Sequence, residues 1–460
     1  MCRYRVRGKT CRRTTPECRG APPEAATCLL ARVLAGTFFH LSGLRFRSAR
    51  LRHPIRGRHS MHVFEKCANF TIARDLRVAG LYPYFQRIES SADTEVVIDG
   101  HKKVMVGSNN YMGLTHDPRI LEAAKAALDK YGSGCTGSRF LNGNLDLHDQ
   151  LEEDLADFIG KEAALVFSTG YQTNLGTIGA LLGRNDTVFL DKLDHACIQD
   201  GARLGFGEIQ RFRHADLDHL ERLLEAADPG RGKMIVVDGV YSMEGDIADL
   251  PTLVPLAKKY SAAVMVDDAH SLGVLGPHGA GTAAHFGLTD EVDLITGTFS
   301  KSLASIGGFV AASALVIDFL RNNARALMFS ASMPPASVAT VIKAVEIIRT
   351  EPERQERLWA NTRRMMKELT ILGFDIGATE TPVVPILIGT MEKTFLVWRD
   401  LFDAGVFTNP VVPPAVPDGR CLLRTSYMAT HTDEQLDFVL EQLARVGKKY
   451  GVLGHGIEVA

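Results

Sequence analysis

Between residues 163 and 311, short aliphatic and β-branched runs alternate with helix-length amphipathic stretches, and this alternation limits the possible folds more than any other feature. The runs 163–167, 187–190, 208–212, 234–237, 263–266, 292–295 and 308–311 read as strands. Segments 172–182, 195–204, 217–226 and 250–260 read as the helices between them. Several runs, 234–237 and 263–266 above all, are apolar without a polar alternate, which implies a sheet buried on both faces and therefore mostly parallel. Right-handed crossovers then gather the carboxyl ends of the parallel strands on one edge, where open α/β sheets bind ligands.

The flanking sequence completes an expected architecture. Residues 61–80 predict a lead-in helix. Runs 95–98 and 103–106 flank Asp99-Gly100, a hairpin signal. A helix is expected over 118–131. The Gly- and Ser-rich stretch 131–143 then calls for unusual dihedrals and a close approach, with Arg139 and Phe140 arguing against a plain spacer. Segment 145–159 reads as a helix with Asn144 as its cap candidate. Beyond 313 the periodicity is helical, over 337–350 and 353–372. Segments 383–388, 392–404, 421–426 and 434–446 suggest a smaller α+β domain. The expected division is a basic leader at 1–60, an N-terminal arm and hairpin at 61–110, a large domain at 111–350 and a small C-terminal domain at 351–460. A chain of 460 residues is long enough for this.

Charge bears mainly on the leader. The net charge of −2 gives no case for nucleic acid, but residues 1–60 hold 14 Lys/Arg against 2 Asp/Glu, leaving 38 and 52 for the rest. The leader fits a transit peptide, a basic arm that touches anionic lipid or nucleic acid, or sequence upstream of a true start at Met61; the abrupt change of composition at Met61 favours the last. The arm reading leaves room for peripheral contact with a membrane. No apolar run reaches the roughly 18 residues a spanning helix needs. Four of the eight cysteines lie in the leader; Cys67, Cys135, Cys197 and Cys421 are scattered without CxxC or zinc spacing, which fits reduced thiols in a cytoplasmic protein.

Polar motifs follow several of the predicted strands. Ser168-Thr169-Gly170-Tyr171 opens the helix after Phe167, suiting a phosphate held by free N–H groups, or simply a helix cap. His195 begins the next helix, as a ring that stacks on an aromatic group or as a capping histidine. Asp267-Asp268-Ala269-His270 follows a buried strand. An acid there is costly unless paired, and a protonated pyridine nitrogen would pair it, with His270 bonding a phenolic oxygen; a metal pair is the alternative, without an evident third ligand. Residues 297–309 place Lys301 among the hydroxyls Thr298, Ser300 and Ser302, before Gly307-Gly308. Such a lysine is an exposed turn residue or, with a lowered pKa, the amine that forms a Schiff base with an aldehyde. Together, a phosphate cup, a stacking ring, a pyridinium acid and a Schiff-base lysine point to pyridoxal 5′-phosphate (PLP).

The segments 168–171, 267–270 and 298–308 resemble the α-oxoamine synthase family, over about residues 61–451. The resemblance implies a fold-type I PLP-dependent transferase that condenses an amino acid with an acyl-CoA, usually with loss of CO2. It implies that Lys301 carries the cofactor, Asp267 pairs with the pyridine nitrogen, His270 with the phenolic oxygen, and His195 stacks on the ring. Ser168, Gly170, Tyr171, Ser242, Thr298 and Ser300 would lie on the cofactor side. Asn109, Ser138 and Arg424 would lie on the substrate side, the first and last near its carboxylate. It further implies a homodimer with shared sites, in which the segment 329–334, with Ser330 and Ser332, reaches the partner's phosphate. Within the family, 137–143 and 409–417 look most like the bacterial members that join L-serine to palmitoyl-CoA, giving 3-ketodihydrosphingosine, the first step of sphingolipid synthesis. The apolar segment 411–416, with Phe407 and Tyr427, is then the expected acyl-chain wall. Condensation of glycine with acetyl-CoA ranks next, followed by 5-aminolevulinate and 8-amino-7-oxononanoate synthesis. A non-catalytic subunit of a heterodimer is the non-enzyme alternative, and the presence of Lys301 argues against it.

Overall fold

The computed structural model of the protein describes residues 63–454, so the expectations for the leader at 1–60 lie outside the described residues. The stretch 63–84 forms one unit and the rest another. In the first unit the expected single lead-in helix is two, Glu65–Asn69 and Ile72–Val78. The break falls at Phe70, which is extended, among the weak helix formers Asn69, Phe70 and Thr71.

The second unit begins with the predicted hairpin, β1 (Glu95–Ile98) against β2 (His101–Met105). Asp99 and Gly100 both have positive φ, as the tight turn requires. Seven strands form the main sheet: β3 (Ala163–Phe167), β4 (Asp186–Asp191), β5 (Glu208–Phe212), β6 (Gly232–Asp238), β7 (Ala263–Asp267), β8 (Leu294–Thr298) and β9 (Gly308–Ala312). Their order is β3-β9-β8-β7-β6-β4-β5. All pairings are parallel except the two made by β9. Only residues 299–307 join β8 to β9, fewer than the dozen or so a parallel crossover needs, so the chain turns back. The strand expected at 292–295 begins two residues later and runs to Thr298. The Asp293 side chain instead accepts the Val264 N–H at 2.7 Å, and pairing starts with Leu294.

The sheet is buried on both faces, which explains the unbroken apolar runs. Ile235 and Val237 enter one apolar cluster, while Met234 and Val236 enter the cluster on the other face. The stretch 131–143 is no free spacer. Arg139 Nη1 bonds buried Glu152 at 2.8 Å, and Glu152 also takes the Val166 N–H at 2.9 Å. The helix after it is Asp146–Ile159, with Leu145, not Asn144, at the cap position. The Leu145 N–H is satisfied by His148 Nδ1 at 3.0 Å, and Asn144 turns to Asp149.

The C-terminal part holds β10 (Val383–Gly389), β11 (Val406–Phe407), β12 (Asn409–Val411) and β13 (Cys421–Ser426). β13 lies antiparallel between β10 and β12, and β11 adds to β2 in parallel. Helices Pro352–Ile371, Met391–Asp403 and Asp433–Tyr450 pack a second core around Trp398 and Leu423. Within that core His431 is locked neutral: Nδ1 accepts the Met428 N–H at 2.9 Å and Nε2–H donates to the Met105 carbonyl at 3.1 Å. Burial lowers its pKa to about 4. The unfolded chain therefore takes up this proton first as pH falls, and stability is lost between about pH 6.5 and 4, by about 3 kcal/mol. The fall of Tm with pH over that window is expected to be steeper in the wild type than in His431→Gln. Equal slopes would contradict the assignment.

Candidate active site

The carboxyl ends of β3, β4, β6, β7 and β8 meet around one cavity of about 340 Å³, within the ~300–1,000 Å³ typical of small-molecule sites. Nine of the sequence-derived candidates line it: Gly170, Tyr171, His195, Ser242, Asp267, His270, Thr298, Ser300 and Lys301.

Each is placed by local structure. Thr169 caps the helix Gly170–Leu181, its hydroxyl accepting the Gln172 N–H at 3.1 Å, so the first N–H groups of that helix open toward the cavity. Thr298 and Ser300 hydroxyls, 2.9 Å apart, stand opposite. A Cβ on Gly170 would fall 2.6 Å from Thr298 Oγ1, so only glycine lets helix and strand approach this closely. His195 is the N-cap of the helix Ala196–Leu204, and its N–H is tied to Asp238 Oδ2 at 2.9 Å. Asp267 ends β7, with Oδ1 accepting the Ala269 N–H at 2.9 Å.

Lys301 lies in the turn after β8. Burial lowers its pKa to about 8, against the pull of Asp267 and Asp238, so a useful fraction of the amine is neutral near physiological pH. His270 is held well below its usual range by burial first, then by Lys301 and Arg424. Burial likewise raises the Tyr111 pKa, so its hydroxyl stays protonated, 2.8 Å from His270 Nδ1 and 3.4 Å from Asn109 Oδ1. Burial also lowers the pKa of His195.

Arg424, buried on β13, donates Nε–H to the Ser242 carbonyl at 2.6 Å and Nη2–H to Asn109 Oδ1 at 2.9 Å. Arg424 and Asn109 thus join the site through Ser242 and Tyr111. The remaining candidates lie off the cavity wall. Ser168 donates to the Ala331 carbonyl, Ser330 accepts from Gln172 at 3.0 Å, and Ser332 donates to the Gly137 carbonyl at 3.0 Å. Ser138 Oγ is buried without a hydrogen-bond partner. The cavity adds residues that sequence reasoning missed, among them Cys197, Asp238 and Ile306. Asp238 carries the same signal as Asp267, an acid closing an apolar strand; Cys197 gave none. Among the described residues no group of three or more His, Cys, Asp or Glu is placed to hold a metal.

The expected acyl-chain wall is only partly present. Val411 and Val416 pack with Leu422 and Met243, but Phe407 stacks edge-on against Phe402, and Tyr427 is fully buried with its hydroxyl near Thr425. A second cavity of about 220 Å³ opens there, with Met243, Pro385, Leu387, Val416 and Leu422 among its lining. On its polar side His214 bridges Asp191 and Asp246. Burial opposes its charge, but the two carboxylates outweigh that and raise its pKa to about 10.

The residues present fit PLP: a helix N-terminus and hydroxyls for a phosphate, a buried acid and a lysine with a lowered pKa lining one cavity, and a glycine where a side chain would block the cup. Fold and site together define a fold-type I, PLP-dependent transferase. Residues 101–443 match the model of the family Aminotransferase class I and II. The chain is 57% identical over 385 residues to a serine palmitoyltransferase of Sphingobacterium spiritivorum, covering 84% of this chain and 96% of that one. It is 52% identical over 389 residues to that of Bacteroides ovatus, covering 85% and 99%. A solved alanine variant of the S. paucimobilis serine palmitoyltransferase, with a bound PLP–myriocin aldimine, superposes with a TM-score of 0.82 at 39% identity, covering 85% of this chain and 98% of that one. The chain belongs to the class I and II aminotransferase family, within its α-oxoamine synthase group.

Proposed function

We propose that this protein is a PLP-dependent acyltransferase that condenses L-serine with a long-chain acyl-CoA, palmitoyl-CoA in the first place, releasing CoA and CO2 and giving 3-ketodihydrosphingosine, which opens sphingolipid biosynthesis. The observation that carries it is the buried Lys301 amine, with a pKa of about 8, sharing one cavity with Asp267, His195 and His270. The relatives named above support the choice of substrates.

PLP, when bound, supplies an aldehyde that condenses with amines and a ring that withdraws electrons from the carbon being remade. The protein's residues do the rest. Asp267 would pair with the protonated ring nitrogen, and His270 would bond the phenolic oxygen. Thr298, Ser300 and the helix start at Gly170 take the phosphate. His195, in the cavity wall, would stack on the ring and keep water from that face. Lys301 Nζ takes the Cα proton of serine and returns a proton to that carbon after CO2 has left. Arg424 donates to Ser242, Asn109 and Tyr111 through Nε and Nη2, which leaves Nη1 for the serine carboxylate. The cluster of Val411, Val416, Leu422 and Met243 beside the second cavity supports a long apolar acyl chain over acetyl. Ile306, in the cavity wall, is 50% exposed and Phe329 75%, which supports a homodimer in which a second copy covers them and the 329–334 segment, with Ser330 and Ser332, reaches the partner's phosphate.

PLP-loaded protein given L-serine and palmitoyl-CoA is expected to release CoA and CO2 in equal amounts and to yield 3-ketodihydrosphingosine by mass spectrometry. Absence of that product, or CoA release that does not depend on serine, would contradict the proposal.

A further inference from the structure

Behind the cavity, buried polar groups form a hydrogen-bond chain whose direction is fixed by its members. The Thr296 hydroxyl lies 3.0 Å from Asn174 Oδ1, an atom that can only accept, so Thr296 donates. The amide is thereby oriented with its NH2 toward Asp267 Oδ2 at 2.6 Å and Cys197 Sγ at 3.0 Å. Cys197 Sγ in turn lies 2.8 Å from His195 Nδ1. The backbone N–H of Cys197, a group that can only donate, also points at that nitrogen, at 3.3 Å. His195 Nδ1 is therefore an acceptor, and the thiol donates its proton to it. Burial keeps this thiol protonated. Asn174, Cys197 and Thr296 are all buried.

We propose that Asn174 and Cys197 are positioning residues, and that the chain Thr296 to Asn174 to Cys197 to His195 fixes the orientation of the Asp267 side chain and holds His195 as its neutral Nε2–H tautomer. This rests on the reading that Asp267 and His195 face the cofactor ring. An uncharged amide donor engages Asp267 Oδ2 without supplying a counter-charge, so it does not compete with the ring nitrogen as a cation would. A proton on His195 Nδ1 would break two hydrogen bonds, so the ring stacks uncharged and its one N–H, on Nε2, stays available to an oxygen of the reacting group.

Three near-isosteric variants and one truncation test the chain. Asn174→Asp sets a second carboxyl against Asp267. The two must share a proton, and the dissociation constant for PLP, read from the visible absorption of titrated apoprotein, is expected to rise at least about tenfold. Thr296→Val frees the amide to turn and is expected to weaken PLP binding less, in the same direction. The Tm of the apoprotein is expected to fall in both, since a buried carboxyl pair or an unpartnered amide costs stability, and circular dichroism at the binding temperature is expected to show both apoproteins folded, so that the loss of affinity is not a loss of fold. Cys197→Ala removes the thiol donor, so the acid limb of the kcat/KM profile is expected to move to higher pH, whereas Cys197→Ser, which keeps a donor, is expected to retain the wild-type limb. Wild-type PLP affinity in Asn174→Asp and Thr296→Val, or identical pH profiles in the two Cys197 variants, overturns this inference alone. A wild-type protein that takes up no PLP overturns the functional reading and this inference with it.

Discussion

Lys301→Ala is expected to lower kcat by at least about 10³-fold, within the range that a positioned proton donor and acceptor supplies. The apoprotein should remain folded. The turn that carries Lys301 is held by other contacts: Phe299 stacks on Phe309, its N–H bonds the Gly307 carbonyl at 3.0 Å, and the Ser305 hydroxyl bonds the Ser337 carbonyl at 3.0 Å. The same residue sets a pH dependence. With a pKa of about 8 in the apoprotein, Lys301 is mostly protonated below that pH and mostly neutral above it. Only the neutral amine adds to an aldehyde, so the rate of PLP capture is expected to rise with pH and level off above about pH 8. Product formation by the variant near the wild-type rate, or capture that is fastest in acid, would remove Lys301 from the chemistry.

Asp267→Asn is expected to lower kcat by about 10²–10³-fold, the loss typical when one preorganised charge is removed from a developing charge. The substitution preserves shape. Position 267 stays at the end of β7, but a neutral amide no longer favours the protonated ring nitrogen, and the ring becomes a poorer electron sink. PLP should still bind, more weakly. Steady-state kinetics with saturating PLP separates the two effects, and a kcat within a few-fold of wild type there would assign Asp267 a structural role.

The sequence made some of this arrangement legible and hid the rest for identifiable reasons. Acids and hydroxyls that follow an apolar run stand out because a buried strand cannot end in Asp267, or turn at Thr298 and Lys301, without partners. Asp238 offered the same signal at the end of 234–237. Asn174, Cys197 and Tyr111 offered none. Asn174 sits inside a helix, and it meets Asp267 only because the sheet brings positions 93 residues apart within 2.6 Å. The antiparallel course of β9 was present in the length of the 299–307 connection, which cannot house a crossover. β11 and β12 have two and three residues, too few for any period to show, and they exist through pairing with β2 and β13. The acyl wall was legible as an apolar, proline-braced segment, yet Phe407 and Tyr427 turned inward, because aromatic side chains go where the second core has room.

Substrate choice is tested most directly by competition kinetics. Each methylene buried is worth about 0.8 kcal/mol, so a long acyl chain that is even half buried outweighs acetyl by several kcal/mol. With PLP-saturated protein, serine, glycine and alanine would each be offered against acetyl-, decanoyl- and palmitoyl-CoA. The account predicts that palmitoyl-CoA exceeds acetyl-CoA in kcat/KM by at least about tenfold, a conservative share of that burial energy, and that serine outcompetes glycine. A preference for glycine with acetyl-CoA would contradict it, while leaving the chain in its PLP-dependent family.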